Sequence, residues 1–144
     1  MMSDTLRNIV TTPEKRPALV DGCVELVEKE VSGKGLIIRG AFKAVKKIKP
    51  GFVKGAVDGL LNDWLDKMEP FYSEWKGKSE GKLSEYLNSK SGEVADALLT
   101  VTDERAKTSK HKTAAKMYGK LRPSALKNVD AAIPGLSMLI ETYL

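Results

Sequence analysis

The sequence predicts an all-α protein, a single-domain bundle of five to seven helices. Apolar residues recur every three or four positions through most of the chain. No segment alternates as a strand followed by a hairpin turn does, and glycine or proline separates the helical segments. At 144 residues the chain is long enough to bury an ordinary core. We therefore interpret residues 1–144 as one helical domain, with residues 1–16 as a loosely attached N-terminal segment.

Four helices are predicted in the first half of the chain. Ser3 or Asp4 is the expected N-cap of the first helix. The third helix is strongly amphipathic and ends at Lys-Pro-Gly, because the residue before Pro50 avoids helical backbone. The fourth is the longest, and we expect a kink at Pro70. These helices span about residues 5–10, 17–31, 36–48 and 52–75.

The second half is predicted to begin with a loop at residues 77–82, followed by a short helix near residues 83–87. Ser91 is the expected N-cap of the next helix, which carries an apolar stripe to Val101. Another helix follows a polar turn near residues 107–112 and is expected to break at Pro123. The last helical region spans about residues 124–143, with a bend at Pro134.

Charge is segregated along the chain, although the net charge is only +5. Residues 31–57 and residues 105–129 contain no acidic residue, and together they hold 15 of the 24 lysines and arginines. These acid-free blocks include two helices with lysine on one face and apolar residues on the other. Such faces contact nucleic-acid phosphates or anionic lipid, and they are equally compatible with solvation or with pairing to acidic helices.

The function favoured by this pattern is a non-enzymatic binding or scaffold role. The anionic partner would be a nucleic acid, an anionic lipid surface or an acidic protein, and the sequence does not choose among them. The candidate anion-binding residues are Arg39, Lys43, Lys46, Lys47, Lys112, Lys116 and Lys120.

An alternative is a small-molecule-binding protein or enzyme with an aromatic-lined pocket. Four of the nine aromatic residues lie within twelve positions, namely Trp64, Phe71, Tyr72 and Trp75. Their helical spacing favours a stripe facing the core over the lining of a pocket.

Three glycines at four-residue spacing, Gly51, Gly55 and Gly59, form a row along the fourth helix. A row of small residues usually lets another backbone approach closely. We interpret it as a helix-contact site, for a helix of this chain or of another subunit, and the oligomeric state stays open.

Few residues point to catalysis or metal chemistry. The single histidine, His111, has no acidic residue within six positions, so we expect it to lie on the solvated surface. The single cysteine, Cys23, lies on an apolar stripe and is interpreted as a buried residue. We predict no catalytic residue, no bound metal and no cofactor.

Location is the last property that the sequence addresses. The N-terminus has no apolar run of signal-peptide length. The longest uncharged run, residues 131–140, is too short to span a bilayer. The expectation is a cytoplasmic protein that does not cross a membrane.

Three segments carry a resemblance to a known family: residues 35–61, residues 94–106 and residues 116–136. Their most specific marks are Lys-Pro-Gly-Phe-Val at residues 49–53 and Lys-Leu-Arg-Pro at residues 120–123. They resemble an uncharacterised family of small helical bacterial proteins, mostly actinobacterial, of about this length. The resemblance implies a bacterial, single-domain protein, and it transfers no activity because the family has none assigned.

Overall fold

The computed structural model describes residues 5–78 and 81–144. Within them the backbone forms seven α-helices and no β-strand, so the all-α fold class and the number of helices are confirmed. The helices are α1 (Leu6–Val10), α2 (Arg16–Ser32), α3 (Leu36–Lys46), α4 (Phe52–Lys78), α5 (Leu83–Ser89), α6 (Ser91–Lys107) and α7 (Lys112–Thr142).

Four of these helices form a bundle around the core. α4 and α7 lie on opposite sides, and α2 and α6 each contact both of them. The buried face of α4 has the expected spacing of three or four residues and consists mainly of Val57, Leu61, Leu65, Met68 and Tyr72. The remaining helices are attached from outside: α1 packs on α4, and α3 and α5 pack mainly on α7.

The N-terminal segment is held against α4. Leu6 and Val10 are buried in the core, and the backbone N–H of Leu6 donates to Glu69 Oε1 at 2.7 Å. Thr5 is the N-cap of α1 and accepts a backbone N–H of the first turn. The segment expected to be loosely attached is therefore anchored where the structure describes it.

Two predictions fall partly outside the described residues. The expected caps Ser3 and Asp4 lie outside them, as do residues 79 and 80 of the predicted loop. On either side of that gap, α4 continues to Lys78, and Gly81 adopts a φ of +68° just before α5.

The C-terminal region differs from the prediction, because α7 is one helix of 31 residues that passes through Pro123 and Pro134. An interior proline removes one backbone hydrogen bond and costs roughly 3 kcal/mol. Packing against four other helices offsets this cost, with Ile133 and Ile140 almost completely buried. The predicted break at Pro123 was wrong, because a local rule about proline does not include these tertiary contacts.

Smaller differences occur at helix ends. α3 ends at Lys46 because the chain tightens there, with the N–H of Ile48 donating to the carbonyl of Val45. Gly51 then turns the chain with a φ of +72°. Ser91 is the first residue of α6 and Lys90 is its N-cap, so the capping role predicted for Ser91 was wrong.

The core of the bundle is not completely filled. A cavity of about 260 Å³ lies between α2, α4, α6 and α7, and almost all its walls are apolar. Its lining also includes Lys34 and Ile38, so the cavity reaches the start of α3.

Candidate functional site

The two acid-free blocks meet in space because α3 and α7 pack against each other. Ile38 near the start of α3 lines the cavity together with Val129 and Ala132 of α7. Beyond the other end of α3, the ring of Phe52 contacts His111, just before α7, at a centroid distance of 5.0 Å. The two helices therefore lie side by side and run in opposite directions.

Some cations of these blocks are neutralised by carboxylates. Within the described residues, five of the fifteen form ion pairs: Lys46 with Glu28, Lys54 with Asp21, Arg105 with Asp63, Lys107 with Glu104 and Arg122 with Asp103. Lys46 Nζ lies 3.3 Å from Glu28 Oε1 and also over the ring of Phe42. Of the seven predicted anion-binding residues, Lys46 is thus already paired.

The other six predicted cations are exposed and make no ion pair with any residue in 5–78 or 81–144. We call this set the basic surface: Arg39 and Lys43 of α3, Lys47 at its C-cap, and Lys112, Lys116 and Lys120 of α7. None of the carboxylates in the ion pairs above contacts these six side chains. Direct ion pairs therefore do not reduce the positive potential of this surface.

Two large apolar side chains lie at the start of the same helix and face solvent. Leu36 is 81% exposed and Ile37 is 75% exposed, the two highest values among the exposed large apolar residues that the structure describes. We call them the apolar pair. They lie next to Arg39, and Gly35, which precedes them, gives α3 no side-chain cap. Sequence reasoning did not single out the pair, because the apolar stripe predicted for this helix begins at Ile38 and contains neither residue.

Arg122 belongs to a polar cluster that joins α6 to α7. Its Nε and Nη2 donate to the two oxygens of Asp103 at 2.9 and 3.1 Å, and the Tyr118 hydroxyl donates to the same carboxylate. These hydrogen bonds from Arg122 and Tyr118 lower the pKa of Asp103. Burial and the neighbouring carboxylate raise the pKa of Tyr118, which keeps its proton at neutral pH. The cluster is a fixed, internally satisfied contact at the edge of the basic surface.

The four aromatic residues of the alternative hypothesis lie in two places. Trp64 lines the cavity, and its Nε1 donates to Thr102 Oγ1 at 3.3 Å. Phe71 packs against the core. Tyr72 and Trp75 lie 6.0 Å apart between ring centroids and border a separate shallow hollow. The structure therefore does not bring the four rings around a single pocket.

The predicted glycine row consists of Gly51, just before α4, and of Gly55 and Gly59 within it, and it is largely exposed. A Cβ at Gly51 or Gly55 would meet no atom within 4 Å, and one at Gly59 would meet only the Arg105 guanidinium at 3.7 Å. Among the described residues, no helix of the chain packs on this row, although another molecule retains access to it.

The lone cysteine and histidine lie where the sequence indicated. Cys23 is buried on α2, which confirms that prediction, and burial raises the pKa of its thiol to about 11. His111 is exposed at the N-cap of α7. Within residues 5–78 and 81–144, no cluster of three or more His, Cys, Asp or Glu side chains is arranged to hold a metal ion.

No helix in the described part of the chain is both long enough and apolar enough to cross a bilayer.

Comparison with known proteins gives a family and no activity. A family model described as a family of unknown function, DUF6918, matches residues 6–144. The chain belongs to this family. No curated protein and no solved structure matches the chain. Family membership confirms the resemblance seen in the sequence, and function has to be inferred from the residues of this chain.

Proposed function

We propose that this DUF6918 protein is a non-enzymatic protein that binds the surface of anionic membranes through α3 and the adjoining start of α7. The observation that carries this proposal is the exposed apolar pair, Leu36 and Ile37, on the same helix as the uncompensated Arg39 and Lys43 of the basic surface. Lipid is the anionic partner that uses both features, because headgroups attract cations while the acyl boundary accepts apolar side chains.

The expected energies are large enough for peripheral binding. A lysine or arginine near an anionic bilayer contributes about 1 kcal/mol. Fully burying an aliphatic side chain contributes roughly 1.5–3 kcal/mol. The binding free energy from a few cations of the basic surface together with partial insertion of the apolar pair is therefore larger than the contribution of either feature alone. A nucleic acid would use the cations and leave Leu36 and Ile37 in water.

Vesicle co-sedimentation tests the proposal directly. The protein is mixed with phosphatidylcholine vesicles with and without phosphatidylglycerol, at low and at physiological salt. We expect binding only to the anionic vesicles, weakening as salt rises because surface charges are screened. A parallel titration with double-stranded DNA uses the same salt series.

Matched variants separate the two parts of the surface. Leu36→Ser with Ile37→Ser removes the apolar pair, and its control is Met138→Ser, an apolar residue 59% exposed on α7. Lys43→Gln with Lys47→Gln removes two cations, and its control is Lys29→Gln with Lys67→Gln, two exposed lysines outside the basic surface. Both test variants should weaken vesicle binding at least tenfold, while both controls bind as the parent does.

Three outcomes contradict the proposal. One is equal binding to neutral and anionic vesicles. Another is vesicle binding that the control variants weaken as much as the test variants do. The third is tight DNA binding that does not depend on Leu36 and Ile37, without vesicle binding, which would assign the basic surface to nucleic acid.

A further inference from the structure

The cavity in the bundle core extends to the start of α3, and four of its wall residues are polar or charged. Residues 34–38 have two roles there, because Lys34 and Ile38 line the cavity while Leu36 and Ile37 between them face solvent. Glu30 also lines this region, as do Thr102 and Asn128. Every other wall residue is apolar, including Cys23, whose thiol is protonated at neutral pH.

The size of the cavity restricts its occupant. At about 260 Å³ it is larger than the ~150 Å³ cavity that accommodates benzene and smaller than the pockets of drug-sized ligands, which begin near 300 Å³. Apolar walls do not hold ordered water, since a buried water needs two to four polar partners. The occupant that fits is a small apolar molecule or a short hydrocarbon chain.

Lys34 indicates which end of the occupant is charged and where that end lies. Its side chain is half-buried at the cavity lining, and it forms no ion pair with any residue in 5–78 or 81–144. A partly desolvated ammonium group favours a carboxylate within contact distance. Glu30 disfavours a second negative charge nearby, so a single charged head is accommodated better than a dianionic phosphate.

We infer that the cavity is a binding site for a medium-chain fatty acid, with its hydrocarbon chain between α2, α4, α6 and α7 and its carboxylate at Lys34. A hydrocarbon chain there makes dispersion contacts with the apolar walls of the cavity. This inference does not rest on the membrane proposal, because the ligand is titrated from solution without vesicles.

The test measures the fluorescence of Trp64, whose ring lines the cavity. Decanoic acid, below the concentration at which it forms micelles, is titrated into the Trp75→Phe variant, so that Trp64 is the only tryptophan observed. We expect a saturable change in Trp64 emission with one ligand per chain, and a rise in Tm that grows with ligand concentration. 1-Decanol is titrated in parallel, as the same chain without charge.

Two pairs of variants locate the ligand. The cavity is filled by Ala132→Phe or by the smaller change Ala132→Leu. The controls are Ala131→Phe and Ala131→Leu, at the preceding, exposed position of α7. Filling the cavity should lower the affinity for decanoic acid at least tenfold, while the controls leave it unchanged. Circular dichroism confirms that each variant folds, and Ala132→Leu keeps the test valid if Ala132→Phe does not fold.

Lys34→Gln tests the position of the carboxylate. It should weaken decanoic acid binding by roughly two- to fivefold, as loss of a partly exposed ion pair implies, and leave 1-decanol binding unchanged. The inference is overturned if neither compound changes Trp64 emission, or if the Ala132 and Ala131 variants bind alike. Equal weakening of both compounds by Lys34→Gln would overturn the placement of the carboxylate. These assays contain no vesicles, so they fail or succeed separately from the membrane proposal.

Discussion

Leu26 of α2 lies directly over Gly135 of α7, where an added Cβ would come within 2.6 Å of Leu26 Cδ1. The reverse contact also exists, since a Cβ at Gly22 of α2 would lie 2.7 Å from Leu139 Cδ1 of α7. Each leucine is four residues from the glycine of its own helix. The two helices therefore interlock, each inserting a leucine at the other's glycine, and this contact fixes how closely α2 and α7 pack.

The interlock predicts that Gly→Ala has opposite effects on stability at an open helical glycine and at a glycine covered by a leucine. Gly55→Ala should raise the free energy of unfolding by about 0.5–1 kcal/mol, because alanine is the better helix former and the site is open. Gly135→Ala should lower it by roughly 1 kcal/mol, because displacing Leu26 outweighs the gain in helix propensity. Urea denaturation measures both. Equal stabilisation by the two substitutions would contradict the interlock.

The Asp103 cluster predicts a stability difference that depends on pH. The folded pKa of Asp103 is lowered, so its charge stabilises the fold above the ordinary unfolded pKa of about 3.9, and this contribution is lost as pH falls through the folded value. Asp103→Asn should therefore cost roughly 1 kcal/mol at pH 7, a modest loss because the site is partly exposed.

Denaturation of the parent and of Asp103→Asn across pH 2–7 checks this prediction. The difference in stability should be constant at neutral pH and should narrow below about pH 4. Exposed Asp96 on the same helix, changed to Asn, is the control and should show no comparable difference. A difference that widens on acidification would show that the charge of Asp103 destabilises the fold.

Because α7 continues through residue 123, we expect Pro123 to lower the free energy of unfolding. Pro123 is exposed, and its ring lies inside a helix that continues in both directions. Pro123→Ala should raise the free energy of unfolding by about 1–3 kcal/mol, since it allows the missing hydrogen bond and removes the clash with the preceding turn. Thermal and urea denaturation measure the change. No gain in stability would favour a helix that ends before Pro123.

Burial of Cys23 predicts a thiol that is inert in the native protein. Its pKa of about 11 leaves almost no thiolate at pH 8, whereas the unfolded chain has the ordinary value of about 8.5. Alkylation by iodoacetamide at pH 8 should be at least roughly a hundredfold slower than in denaturant. Mass spectrometry over time measures the two rates. Comparable rates would mean that Cys23 is accessible in the folded state.

The sequence predicted those parts of the fold that depend on local patterns. α2 and α4 were predicted from apolar spacing, because a helix that buries one face has apolar residues at every third or fourth position. Pro123 misled because its effect depends on what packs around α7. The interlocking glycines Gly22 and Gly135 were missed for the same reason, as each is recognisable only once its partner leucine is placed.

The candidate site was predicted only in part. The exposed cations were visible as acid-free blocks, but their adjacency depends on how α3 lies along α7, which no local pattern encodes. Pairing of Lys46 with Glu28 likewise required the packing of α2 against α3. The cavity is a property of four helices together, so the sequence revealed its wall residues without the empty volume between them.

Because α7 follows the other six helices along the chain, it is also made after them during synthesis. The leucines and valines that α2 and α6 bury against it have no cover until it leaves the ribosome. The earlier helices are therefore a nascent chain with an open apolar side, the kind of surface on which aggregation begins and to which chaperones bind. Completion of this bundle depends on α7, which is translated after the helices that it covers.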